Sequence, residues 1–243
     1  MEKNHCFLRI EGALPEAAGE LLQYLATYLE QHKLDGPYGS DPAIAYATRP
    51  WILLFCTSKD PIVEALKTQT WGNHRQFLDS IRLCFVASLT ELRAVLSALH
   101  MKPRVVDQQD NDLLTWWHDK KQGQPPALVV AMGLLDMLCE RQVGGPSSDR
   151  FLSIRFDQLA SSLALLTETC RFLGNARESW MAPFHQQASH RPTYLVVTDH
   201  DCLPPLDLTS LSAPMDSPNK NKTKQSVLQT IYGILLYYLA YIV

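Results

Sequence analysis

The chain has 243 residues, enough for one α/β domain and a tail, and 46% of them are hydrophobic against 19% charged. That balance excludes an intrinsically disordered chain, and a formal net charge of -3 excludes a basic nucleic-acid footprint spread over the whole surface. The six cysteines, Cys6, Cys56, Cys84, Cys139, Cys170 and Cys202, form no CxxC pair, which excludes a zinc ribbon or a thioredoxin-type motif.

The first strand expected is Cys6–Ile10, preceded by a segment without a signal-peptide core. After Gly12, apolar residues at Leu14, Ala18, Leu21, Leu22, Leu25, Tyr28 and Leu29 recur at helical spacing. Residues 33–50, with Gly36-Pro37, Gly39 and two more prolines, read as a loop. The run Trp51–Cys56 is continuously apolar, which predicts a strand buried on both faces. A helix follows from about Pro61, whose missing N–H suits a first turn.

Ile81–Val86 is the third strand. Ser88-Leu89-Thr90-Glu91 then has the form of a capping box opening a helix with Leu92, Val95, Leu96 and Leu99 on one face. Residues 101–125 predict a short helix between loops. Ala127–Met132 is the fourth strand, Gly144-Gly145-Pro146 a turn, and Leu159 to Leu173 a long helix. Tyr194–Thr198 is the fifth strand. Five such strands alternating with helices predict an α/β fold, a doubly wound and mainly parallel sheet with helices on both faces.

Beyond residue 203 the composition changes. Residues 204–226 read as a polar Pro/Ser/Lys linker, leaving 1–203 as the domain. Residues 227–243 form an apolar, uncharged tail with four tyrosines. As a helix its length would be ~26 Å, a little short of a bilayer's apolar thickness. Lys220, Lys222 and Lys224 precede it and would favour a cytosolic amino side. A membrane anchor, a helix docking on a partner, and an artefactual end to the reading frame stand as equal alternatives.

The strand–glycine–helix order at residues 6–29 is where a P-loop fold holds phosphates, through glycines, a lysine and a Ser/Thr hydroxyl. Laid on GxxxxGK[ST], only Gly12 matches. Ala17 stands for the second glycine, Ala18 for the lysine and Gly19 for the hydroxyl residue. A slip of one residue makes Gly19 the second glycine but puts Glu20, a repelling carboxylate, at the lysine position. The fourth strand ends at Met132 where an ATPase of this kind carries a metal-side acid, and Asp136 lies a helical turn further on. Both losses predict no nucleotide hydrolysis, no catalytic residue and no cofactor.

Ile10-Glu11-Gly12 with Glu20–Leu25 resembles the P-loop region of RecA-type recombinases and their paralogues. Ser80–Leu83 with Leu89–Leu92 and Leu96 is similar to that family's third strand and helix. Pro126–Val130 with Gly133-Leu134 resembles its Walker B strand, and Leu195–His200 its fifth strand, with Asp199 and His200 in place of amide residues. The resemblance covers residues 6–202 and is closest to the small paralogues that pair with SWIM-domain zinc proteins in Shu-type complexes. It implies a RecA-like P-loop fold and a pseudo-ATPase whose partner is a SWIM-domain or other RecA-like subunit. It also implies a nuclear role in homologous-recombination DNA repair, with DNA reached through the complex. An Elongator-type RecA-like subunit in tRNA modification is one alternative. A tail-anchored membrane protein with its domain in the cytosol is another.

Three local features compete with this reading. Asp199-His200-Asp201-Cys202, after a strand's carboxyl end, would suit a metal or acid/base cluster. Trp116 and Trp117, followed by His118, Lys120 and Lys121, offer a stacking and charge platform for DNA, against the plainer reading of a partly buried helix. His185 and His190 read as solvated loop residues. No GxSxG or HExxH motif is present, so hydrolase chemistry has no support.

Overall fold

The computed structural model describes residues 5–10, 14–32, 42–101, 112–139, 151–181, 192–200, 203, 220–239 and 241–242. Five parallel strands form its centre: β1 (Cys6–Arg9), β2 (Ile52–Cys56), β3 (Ile81–Phe85), β4 (Leu128–Met132) and β5 (Tyr194–Asp199). A two-residue strand, β6 (Tyr241–Ile242), pairs parallel to β1, giving the order β3-β2-β4-β5-β1-β6. The run at β2 is fully buried along its length, as its unbroken apolar sequence requires.

Period-two alternation sorts the sheet's side chains onto two cores. Ile52, Leu54, Val130 and Val196 pack with α1 (Leu14–Gln31), α3 (Asp60–Thr68) and α4 (Arg75–Leu78). Phe7, Leu53, Phe55, Val129 and Val197 pack on the other face, under α5 (Leu89–Leu99), α6 (Asp112–Lys121), α7 (Leu134–Leu138), α8 (Phe156–Met181) and α9 (Lys220–Tyr238). The split follows from right-handed crossovers. Connections running toward β3 place their helices on one face, and those running back place them on the other. The sheet is therefore doubly wound.

Several local signals act as their chemistry predicts. Pro61 sits in the first turn of α3. Ser88 Oγ accepts from Glu91 N at 3.2 Å, while the Glu91 carboxylate accepts from Ala87 N at 2.7 Å, one residue before the cap. Gly174 lies in α8 where the helix meets the start of β5, and a Cβ there would stand 3.1 Å from Thr193 N. Gly174→Val is expected to cost about 1–3 kcal/mol through overpacking, read as a lower urea midpoint at unchanged slope.

Two predicted segments differ. Within the expected loop at 33–50, α2 (Pro42–Thr48) is helical; the two glycines lie outside the described residues. The expected division of residues 204–243 into linker and tail also changes. α9 begins at Lys220, inside the predicted linker, and Ile231, Tyr232, Leu235 and Leu239 are buried in the domain's larger core against α8. Their three- and four-residue spacing makes a one-sided stripe, with Leu236 and Tyr237 exposed opposite. Among the described residues, no helix is long and apolar enough to cross a membrane. Residues 204–219 lie outside the described residues.

Candidate active-site cleft

Parallel α/β sheets gather ligands beyond the carboxyl ends of strands whose connections depart to opposite faces. Here β1 sends its chain to the α1 face while its neighbour β5 sends its chain to the α9 face. β2 and β4 are a second such pair. A cleft of about 480 Å³, its open mouth included, spans both places. Ile10, Leu14 and Ala17 line it from β1 and α1, and Cys56, Thr57, Ser58 and Pro61 from β2 and α3. Met132, Gly133 and Asp136 come from β4 and α7, and Thr198, Asp199 and His200 from β5.

Three of the predicted phosphate positions, Ala17, Ala18 and Gly19, lie in a helix. α1 is already helical at Leu14, so Ala17, Ala18 and Gly19 lie within it rather than in a loop. Ala17 and Ala18 are packed into the core, and Gly19 faces the Gln69 side chain, which a Cβ would strike. Glycine at 19 thus serves helix packing, not approach to a ligand. Gly12 lies outside the described residues. Met132 does end β4 at the cleft, and Gly133, left-handed at φ 73°, turns the chain directly into α7. That turn brings Asp136 back to the rim, in the same cleft as Thr57 and Ser58. Among the described lining residues there is no lysine or arginine.

Asp199 is 0% exposed. Its Oδ2 accepts from Leu203 N at 2.9 Å. Arg9 stands beside it in register on β1, so their opposite charges are neighbours on the α9 face. Tyr232 of α9 covers this place. Burial holds its phenol above the ordinary range, with Arg9 lowering and Asp199 raising it. Asp199 is thereby a structural carboxylate at the back of the cleft. His200 is half-buried at the rim, whereas Asp201 and Cys202 lie outside the described residues. No group of three metal-binding side chains converges among the described residues. Cys56 is buried, and desolvation, followed by the neighbouring Cys84, pushes its thiol up to about 12. A neutral thiol of this kind is not a nucleophile.

The predicted stacking platform is corrected by burial. Trp117 is buried and its Nε1 donates to Gln124 O at 2.6 Å; Trp51 Nε1 donates to the same carbonyl at 2.8 Å. Trp116 sits edge-on to Trp51 and carries the Arg82 guanidinium over its ring at 5.2 Å. Lys121 is 0% exposed. Its Nζ donates to Tyr46 O at 2.8 Å and Arg49 O at 3.1 Å, while Gln124 Nε2 donates to Thr48 O at 3.0 Å. These donors satisfy carbonyls at the carboxyl end of α2, a role a basic residue suits. Of the four predicted contact residues only Lys120 is exposed, and the cluster lies at the sheet's amino edge, opposite the cleft. His185 and His190 lie outside the described residues.

Sequence reasoning missed Thr57, Ser58 and Thr198. Each follows or ends a buried apolar run, which is the signal that marks a strand's carboxyl end. No protein-family model and no curated protein matches this chain.

Proposed function

We propose that this chain is a non-catalytic, RecA-like subunit that acts through a protein partner in a recombinase-accessory complex supporting homologous-recombination DNA repair. The partner is a SWIM-domain zinc protein or a second RecA-like subunit, DNA is reached through the complex, and the site of action is the nucleus. One observation carries the non-catalytic part: the described residues that line the cleft include no lysine or arginine for a triphosphate. Its lining offers apolar side chains, hydroxyls, two carboxylates and an imidazole, with Met132 at the end of β4. At the rim, Asp136 with no lysine or arginine among the described lining residues disfavours a polyphosphate. Helix from Leu14 onward also commits the backbone around Ala17 and Ala18 to intrahelical bonds. The family part rests on the sequence resemblance, with the parallel doubly wound sheet as its support.

Purified chain is expected to show no magnesium-dependent ATP turnover and no ATP-induced rise in melting temperature. Tagged chain captured from nuclei should bring down a SWIM-domain or RecA-like protein at near-equal stoichiometry. Turnover abolished by Asp136→Ala would overturn the non-catalytic reading. Capture of neither partner class would overturn the assignment to recombination.

A further inference from the structure

Among the described residues, β3 closes one side of the sheet, with β2 as its strand neighbour. Ile52 N donates to Ser80 O at 2.9 Å, and Val86 N donates to Cys56 O at 3.0 Å. Even-numbered residues of this strand therefore turn their peptide groups toward β2. Alternation along the strand turns those of Ile81, Leu83 and Phe85 outward. The same three side chains share the α1 face, because their register partners Ile52, Leu54 and Cys56 belong to that core. Phe85 is 50% exposed. The usual defences of an edge are missing from Ile81–Phe85: it contains no lysine and no proline, and its single charge, Arg82, lies over the Trp116 ring.

We propose that β3 pairs with β3 of a second copy of this chain, antiparallel about a two-fold axis at Leu83, to make one continuous sheet. In this register Leu83 meets its own counterpart and Ile81 meets Phe85 of the partner subunit. Three outward residues on each strand, each donating and accepting once, give about six bonds between the chains. Apolar pairs lie across the axis on the α1 face, and Arg82 stands opposite Cys84 of the partner subunit, so no like charges meet directly. A slip that centres the axis on residue 82 sets the two arginines opposite each other, and one that centres it on residue 84 leaves Ile81 unmatched. The pairing is isologous and closes at two copies, which excludes open fibres.

Sedimentation velocity on the full chain over a hundredfold concentration range tests this independently of any function. A reversible dimer is expected. Phe85→Lys, at a half-exposed position, should weaken it at least tenfold. Leu83→Pro, which an outward-facing edge N–H tolerates, should abolish it with far-UV dichroism unchanged. Leu83→Cys should give a disulfide-linked dimer on mild oxidation, since a hydrogen-bonded antiparallel pair has Cα atoms about 5.5 Å apart, within disulfide reach. Monomer at every concentration, or a dimer that survives Phe85→Lys and gives no Leu83→Cys cross-link, overturns the proposal.

Discussion

A chain ending at residue 219 is expected to lose its cooperative fold. The truncation removes α9 and β6, and with them the buried Ile231, Tyr232, Leu235 and Leu239. Each large apolar side chain contributes about 1.5–3 kcal/mol on burial, so four contribute about 6–12 kcal/mol. A domain of this kind has a total stability of about 5–15 kcal/mol. The loss is therefore comparable with everything the fold has. It also uncovers the α8 surface and strips β1 of its neighbour on that side. Thermal melts followed by circular dichroism should show no cooperative transition, with the shortened chain aggregating on expression. A tail that served as a membrane anchor predicts the opposite outcome, a well-behaved soluble domain after its removal. Recovery of a folded, monodisperse chain ending at 219 would show that α9 does not belong to the core.

Stability is expected to rise with pH between about 7 and about 10, and Lys121→Met should remove most of that rise. Burial, reinforced by the nearby Arg49 charge, pulls the Lys121 ammonium from its ordinary 10.5 down to about 7. The unfolded chain keeps this proton up to about pH 10.4. Between the two values the unfolded state binds one more proton than the folded state, so unfolding becomes harder as pH increases. Below about 7 both states are protonated and the slope disappears. The limiting slope is about 1.4 kcal/mol per pH unit for a single group. The bonds from Nζ to Tyr46 O and Arg49 O, together with the Tyr46 ring 4.4 Å away, favour the charged form and oppose this shift. Urea titrations of both proteins at several pH values read the difference directly. Parallel pH profiles for wild type and Lys121→Met would exclude Lys121 as the titrating group.

The amino-edge cluster explains why two residues of a motif that looked like a nucleic-acid platform, Trp117 and Lys121, became part of the interior. Tryptophans followed by lysines have the composition of a stacking and charge surface. Their burial depends on Trp51, distant in the chain, and on the Gln124 carbonyl, to which Trp51 and Trp117 both donate. A single segment carries no sign of such a partner. The opposite holds at β2, where continuous apolar character is itself the signature of burial from two sides, and the strand stands where the sequence placed it.

By itself, the amino-acid sequence determined the five parallel strands, the capping box at Ser88 and the helices around α1, α5 and α8, because these depend on local periodicity and local hydrogen bonds. Only the tertiary structure decided the strand order, the seating of α9 in the core, and the meeting of Thr57, Asp136 and His200 at one cleft. The physical reason is range. Periodicity tells a segment which face to bury, but the surface that covers it comes from elements distant in the chain, as α9 against α8 and Arg9 beside Asp199 both show.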